Sequence, residues 1–222
     1  VSLKRDVIFA ATADEEVHGE GIRFLVQQHP DLIRAEFGLT EFGGFNLDVG
    51  THRAYPVQVA EKGAVWVKVK AKGKPGHAST PHAENAVLLL ARALDRLGRR
   101  GMPYHLTEPA AVFIDGLADT AGGVQGAFLR GLKNPMLAPH VLRRLPEPGL
   151  RNMANAILRN TATPTGLAAG KKTNVIPSVA EATIDCRTLP GFSTDAALAE
   201  LEAVLGEGVE FEVLIDSPSL QT

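Results

Sequence analysis

Three consecutive carboxylates, at residues 14–16, are the strongest chemical feature of the sequence. They follow a short apolar run, residues 6–11, whose length and composition predict a buried strand. Three acids cannot be buried together unless a cation or shared protons offset their repulsion, so they form either a solvated loop or a site. Glu41 follows a second predicted strand, residues 37–40. With a helix predicted over residues 19–29, the two strands form a crossover unit and run parallel.

The carboxyl ends of neighbouring parallel strands meet at one edge of a sheet, where open α/β folds bind ligands. We therefore expect Glu15, Glu16 and Glu41 to lie near one another. Adjacent glutamates on an extended turn point in different directions, so one could bind a metal ion while the other takes a proton from water. A solvated surface turn is the alternative, and these residues alone leave both interpretations open.

Two further segments carry side chains that could act on a substrate. His77 lies in a loop rich in glycine and proline, residues 73–81, where it could donate a hydrogen bond to a developing oxyanion. An ordinary loop histidine is the alternative. Asn174 and Arg187 lie near one predicted strand pair, and an amide with a guanidinium could hold a substrate carboxylate. A plain ion pair between Asp185 and Arg187 is the alternative there.

After residue 60, the pattern of apolar and polar residues changes and predicts a second set of elements. Alternating apolar and polar residues predict a strand from residue 64, and helical spacing follows over residues 83–97, with Gly98 as the predicted stop. Antiparallel strands carrying two helices on one face predict an α+β sandwich of ferredoxin-like topology. The remaining predicted elements are a helical insertion over residues 116–160 (segments 122–132, 135–144 and 150–159), a strand over 181–188, a helix over 194–205 with Thr194 as N-cap, and a strand over 209–215.

The bulk composition excludes several classes of function. The net charge is −2 and the sequence has no basic surplus, which argues against a nucleic-acid partner. The longest apolar stretch is far too short to span a bilayer, so we expect no membrane partner and a cytoplasmic location. A single cysteine, Cys186, excludes a disulfide framework and a cysteine-rich zinc site. The chain begins at Val1 without methionine, which we interpret as a segment of something longer.

Four segments, in this order and spacing, resemble one enzyme family. They read VIFAATADEEVHGEG, LTEFGG, KGAVWVKVKAKGKPGHASTP and TNVIPSVAEATIDCRTLPG. The sequence is similar to the co-catalytic zinc hydrolases that include aminoacylase, acetylornithine deacetylase, succinyl-diaminopimelate desuccinylase, glutamate carboxypeptidase and carboxypeptidase S. The helical insertion resembles the carboxypeptidase S-like branch. The resemblance implies hydrolysis of an amide bond in an N-acyl amino acid or peptide with a free carboxylate.

The resemblance also implies roles for individual residues. Glu15 resembles the general base that activates the attacking water, and Glu16 and Glu41 resemble ligands to the two zinc ions of each subunit. His77 resembles a lid histidine that, in family dimers, reaches the partner subunit's site and stabilises the tetrahedral intermediate. A homodimer formed through the lid domain is therefore implied.

Asn174 and Arg187 resemble the lid residues that grip the substrate carboxylate. The implied domains are a partial catalytic domain over residues 1–60, a lid and dimerisation domain over 61–215, and a return to the catalytic domain at 216–222.

The sequence departs from the family pattern in its metal ligands. The pattern also contains an upstream His-x-Asp segment, an upstream bridging aspartate and a late histidine, and none of these can be matched here. The resemblance implies that the parent protein is a zinc hydrolase. Because zinc sites need at least three protein ligands, we expect this segment to be neither metal-loaded nor active. The alternative class is a non-catalytic, dimerising α+β interaction module.

Overall fold

The computed structural model describes residues 3–15, 19–39, 44–49 and 51–221, and the chain divides into two compact units, residues 1–43 and 44–222. The described residues of the first unit form two helices, α1 (Glu20–Gln28) and α2 (Pro30–Ile33). The helix predicted over residues 19–29 is confirmed as α1. Pro30 ends the periodic pattern, as expected, but it also begins α2, because the first helical turn needs no donor from proline.

The predicted crossover in this unit is wrong for the described residues. Residues 6–11 form no strand, and neither do residues 37–39; residue 40 lies outside the described residues. Val7 and Phe9 remain 73% and 91% exposed. The apolar run has the composition of a strand inside a sheet, but a strand is stable only with paired neighbours, and no described segment pairs with it.

The second unit is built on a four-stranded antiparallel sheet and three short strand pairs. Its strands are β1 (Leu47–Val49), β2 (His52–Ala54), β3 (Ala60–Glu61), β4 (Gly63–Lys72), β5 (Gly76–His77), β6 (Thr161–Ala169), β7 (Val175–Ile176), β8 (Val179–Thr188), β9 (Val209–Ser217) and β10 (Leu220–Gln221). The large sheet has the order β6-β8-β4-β9, and the short pairs are β1–β2, β3–β10 and β5–β7. Two helices, α3 (Ala86–Arg100) and α8 (Thr194–Leu205), pack on one face of the large sheet.

Strict alternation in β4 creates this packing. Val65, Val67 and Val69 are buried against the two helices, while Lys68 and Lys70 lie on the opposite face. The chain order β4-α3-β6-β8-α8-β9 with this strand order is the ferredoxin-like topology, so the predicted fold class is confirmed. The core is completed by residues of both helices and of β8: Leu90, Ala93, Leu97, Ile184, Leu201 and Leu205.

The helix ends differ from the predictions in detail. Helix α3 begins after Asn85, whose side chain accepts a hydrogen bond from the Val87 backbone N–H at 2.9 Å. The helix continues through Gly98, since an interior glycine costs only about 1 kcal/mol, and ends at Gly101 in a left-handed conformation with φ 64°. The N-cap of α8 is Ser193 rather than Thr194.

The helical insertion starts earlier than predicted. Four helices form it: α4 (Glu108–Ala121), α5 (Gly123–Arg130), α6 (Ala138–Arg144) and α7 (Pro148–Ile157), with one 3-10 turn at Gly131–Lys133. Helix α4 was not predicted, although its N-cap, Thr107, and its early proline are ordinary start signals. The insertion has an apolar core of its own, centred on Ile114, Leu142 and Leu158.

Candidate functional site

The short pair β5–β7 brings two predicted site residues together. His77 is paired with Val175 and Gly76 with Ile176. The Ala78 backbone N–H donates to the Asn174 carbonyl at 3.0 Å, so the ladder continues by one residue. His77 and Asn174, which are distant in sequence, therefore lie on adjacent rungs at one end of the unit, with both residues exposed.

Ser79 determines which nitrogen of His77 carries the proton in the neutral ring. The Ser79 backbone N–H donates to His77 Nδ1 at 3.2 Å, and the Ser79 Oγ lies 2.7 Å from the same nitrogen. Because a backbone N–H can only donate, Nδ1 is the acceptor and the proton lies on Nε2. His77 thus presents an N–H donor, the form needed to stabilise a developing oxyanion.

Two residues that sequence reasoning left without a role support this loop. Ser79 could have been found from its position two residues after His77, where a short polar side chain can turn back to a ring nitrogen. His82 lies behind β5, where a Cβ atom built on Gly76 would lie 3.1 Å from its Nε2. Both ring nitrogens of His82 are buried, with no hydrogen-bond partner among the described residues. A side chain at position 76 would therefore push the His82 ring back by a few tenths of an ångström.

Arg187 lies at the other end of the sheet. It is paired with Ala64 at the start of β4, whereas the His77 loop follows the far end, where Lys72 is paired with Val179. The eight steps from residue 179 to residue 187 extend over roughly 26 Å at the usual rise of a strand. The expectation that Asn174 and Arg187 lie close together is therefore wrong within one copy of the chain, because β8 runs the length of the sheet between them.

The Arg187 guanidinium is engaged by a carboxylate on its own strand. Its Nε and Nη2 donate to the two oxygens of Asp185 at 2.7 and 2.9 Å, and this hydrogen bonding raises the pKa of Arg187. The ion pair that was the alternative interpretation is thus present. It uses two of the five N–H donors of the guanidinium, which leaves three for another ligand.

Lys62 lies beside Arg187 and holds the end of the helical insertion. Its ammonium donates to the carbonyls of Ala156 and Arg159 at 2.9 and 2.8 Å. Burial and the positive charge of Arg187 lower the pKa of Lys62 to about 8. Lys62 therefore connects the start of β4 to the last turn of α7.

Replacing Lys62 with methionine should remove a pH dependence of stability. Unfolding returns the Lys62 pKa to its ordinary value of 10.5, so the unfolded chain binds more protons than the folded chain between pH 8 and that value. The unfolding free energy of the unsubstituted chain should therefore rise, relative to that of K62M, by about 1 kcal/mol from pH 7 to pH 9. Urea denaturation of both chains measures this difference, and parallel changes in the two would contradict the prediction.

Of the three consecutive carboxylates, the structure describes Asp14 and Glu15. Glu15 is exposed on a turn, and Asp14 before it has φ 61°, a left-handed conformation that is uncommon outside glycine and that clusters at functional sites. The Gly19 backbone N–H donates to the Asp14 carbonyl at 2.7 Å and closes the loop. A Cβ atom at Gly21 would lie 2.6 Å from the Ala13 backbone nitrogen. The close approach of the start of α1 to residue 13 therefore requires glycine.

The predicted metal ligands, Glu16 and Glu41, lie outside the described residues. Elsewhere in the described ranges, no three histidine, cysteine, aspartate or glutamate side chains come together in a way that could hold a metal ion. Cys186 is buried, and burial raises the pKa of its thiol to about 12, so it does not offer a thiolate. The described residues therefore do not fit a zinc ion by themselves, and the two ligand assignments stay predictions.

The second unit is thus an α+β sandwich of ferredoxin-like topology with a helical insertion. A family model described as the peptidase dimerisation domain of M20 enzymes matches residues 59–210. The human N-fatty-acyl-amino acid synthase/hydrolase PM20D1 is 31% identical over 220 residues, which cover 95% of this chain and 42% of that protein. The chain therefore belongs to the M20 peptidase family.

Two further similarities were found. A carboxypeptidase S-like protein of Dictyostelium discoideum is 29% identical over 221 residues, covering 92% of this chain and 40% of that protein. The crystal structure of human carnosine dipeptidase 1 matches 74% of this chain and 38% of its own, with 13% identity and a TM-score of 0.43. The family model and the sequence relatives, rather than this structural similarity, carry the assignment. The chain spans about two fifths of the length of these two sequence relatives.

The helices of the described part of the chain are all too short or too polar to cross a membrane.

Proposed function

We propose that this chain is the substrate-gripping and dimerising part of an M20 hydrolase that cleaves the amide bond of N-acyl amino acids or peptides. The relatives named as an N-fatty-acyl-amino acid synthase/hydrolase and a carboxypeptidase S-like protein support this reaction class. The observation that carries the proposal is the hydrogen bonding of His77, which leaves Nε2–H as a donor beside Asn174.

The proposed reaction divides into three tasks. Glu15 takes a proton from the attacking water, whose oxygen bonds to the amide carbon, and returns the proton to the departing amine as the C–N bond breaks. His77 Nε2–H donates to the oxygen that becomes negatively charged during this attack. Arg187 and Asn174 bind the carboxylate of the substrate. We also propose that Glu16 and Glu41 bind zinc in the longer protein. This chain alone is proposed to hold no metal and to be inactive.

The separation of Asn174 from Arg187 supports a homodimer. A single copy places these residues at opposite ends of β8, so two copies are needed to supply both to one substrate. The two edges of the large sheet differ in charge: β9 carries Glu210, Glu212 and Asp216, whereas β6 carries no charged residue. Because charged edges resist strand pairing, we propose β6 as the dimerising edge.

Replacing Arg187 with methionine tests the substrate class. In the longer enzyme that contains this chain, KM for an N-acyl amino acid should rise about 10- to 100-fold, since a hydrogen bond to a charged group contributes about 1.5–3 kcal/mol. The methyl ester of the same substrate lacks the carboxylate, so its hydrolysis should change little. Steady-state kinetics with both compounds measure the difference.

Arg99→Met provides a matched control. Arg99 is exposed and pairs with Asp95 at 2.9 Å, as Arg187 pairs with Asp185, but it lies on α3 away from the proposed carboxylate site. R99M should leave both substrates unaffected. Equal losses for acid and ester in R187M would contradict the assignment of Arg187. Absence of all amide hydrolysis in the longer protein would favour the non-catalytic interaction module instead.

A further inference from the structure

A cavity of about 600 Å³ lies inside the second unit, between the helical insertion and β1. Ile114, Leu132 and Ala154 form buried parts of its wall, and Leu47 and Val49 of β1 contribute to another side. Fifteen of its twenty lining residues are aliphatic or aromatic, or are proline or methionine. The described residues assigned to the hydrolase site (Glu15, His77, Asn174 and Arg187) do not line it, so the cavity is argued independently of the proposed hydrolase function.

The polar lining residues lie at the opening. They are Asn46, Asp48, Gln125 and Glu147, and all four are exposed. Asp48 also accepts a hydrogen bond from Arg53 Nε at 3.0 Å. The other lining carboxylate, Glu147, forms no ion pair with the described residues. Among the described residues, no lysine, arginine or histidine lines the cavity. The interior therefore suits apolar groups, and the unpaired charge among the described lining residues, that of Glu147, is negative.

We propose that this cavity binds one unbranched alkyl chain of about 12 to 16 carbons whose head group carries no negative charge. A water molecule needs two to four polar partners, which the apolar wall does not supply. A peptide would bring backbone polar groups along its whole length, and the buried wall residues Ile114, Leu132 and Ala154 cannot pair with them. An alkyl chain has no such groups, and its head group would lie at the polar opening.

The volume sets the length of the chain. A methylene group takes up about the space of a water molecule in the liquid, roughly 30 Å³, so sixteen carbons fill about 480 Å³. This fits a cavity of about 600 Å³ with room for imperfect packing. Each further methylene that leaves water should raise the affinity about fourfold, until the cavity is full.

The test uses the intact 222-residue chain and straight-chain 1-alkanols from octanol to octadecanol. Calorimetric titration should show one site per chain and an affinity that rises about fourfold per methylene, then levels off near sixteen carbons. Dodecanoate should bind at least about tenfold more weakly than 1-dodecanol, because its carboxylate meets Glu147 at the opening. Each alkanol that binds should also raise the melting temperature.

A matched pair of tryptophan variants on α4 locates the site. Leu117 lines the cavity, so L117W should fill it and weaken 1-dodecanol binding at least about tenfold. Val112 is 66% exposed and does not line the cavity, so V112W should leave binding within about twofold. If L117W does not fold, Met153→Trp blocks the same space from α7.

Four results would overturn the proposal. They are the absence of saturable binding below the solubility limit of each alkanol, an affinity independent of chain length, equal weakening by L117W and V112W, and dodecanoate binding as tight as 1-dodecanol. The chain-length series uses the unsubstituted protein, so it decides even if every variant fails to fold.

Discussion

Replacing His77 with alanine should lower kcat of the longer enzyme for an N-acyl amino acid by about 10²- to 10³-fold, with little change in KM. The loss falls on kcat because the Nε2–H donor meets a full negative charge only in the transition state. Ser79 fixes this donor through its backbone N–H and hydroxyl on Nδ1. Replacing the exposed His52, which lies on β2, should leave kcat unchanged and controls for the loss of a surface histidine.

Mixing two inactive variants tests whether His77 acts across a dimer. One variant carries Glu15→Gln and the other His77→Ala, so neither homodimer has a complete site. In a mixed dimer, the intact Glu15 of one subunit would meet the intact His77 of its partner. Random exchange should therefore restore about a quarter of the normal activity. If nothing is restored while each variant remains folded, His77 does not act in the partner's site.

The proposed dimerising edge provides the control for this mixing experiment. Leu167 lies on β6 and is 71% exposed, whereas Val213 lies on the opposite edge strand, β9, and is 44% exposed. Adding Leu167→Lys to both inactive variants should abolish the restored activity, because it places a charge on an uncharged edge. Val213→Lys should leave restoration intact. Equal effects of the two lysines would contradict the choice of β6.

The parts of this fold that the sequence predicted are those in which local pattern and tertiary packing agree. The alternation in β4 predicts a half-buried strand because the helices of the same unit cover one face. Residues 6–11 have an equally strong apolar pattern, yet they form no strand, because pairing partners are not part of a local pattern. Periodicity reports which face is apolar, and it cannot report what covers that face.

The candidate site follows the same division. His77, Asn174 and Arg187 could be chosen from residue type and from resemblance to a family. Their positions depend on register, which places His77 and Asn174 on adjacent rungs and Arg187 at the far end of β8. The proton position in His77 depends on Ser79, which lies only two residues further along the chain. A periodic pattern does not report such a local contact. Sequence patterns thus identified candidate groups, while hydrogen-bonded pairing decided which of them can act together.

Replacing Asn160 with alanine should lower the free energy of unfolding by about 3 kcal/mol. Asn160 is fully buried, its Nδ2 donates to Glu200 Oε2 at 2.9 Å, and its Oδ1 accepts from the Leu189 backbone N–H at 2.8 Å. His105 Nε2 lies 2.5 Å from the other Glu200 oxygen. Removing the amide leaves Glu200 Oε2 and the Leu189 backbone N–H without the partner that Asn160 supplied, which costs more than a hydrogen bond normally contributes.

This network joins the helical insertion to the sandwich, so its loss should destabilise both. Asn160 and His105 flank the insertion in sequence, whereas Glu200 belongs to α8 of the sandwich. Urea denaturation of N160A, E200Q and the double variant should give a coupling energy of about 1–3 kcal/mol, since the two side chains share one network. Asn152 on α7 is exposed, and N152A should change stability by less than about 0.5 kcal/mol. Additive effects of N160A and E200Q would contradict an energetic coupling between Asn160 and Glu200.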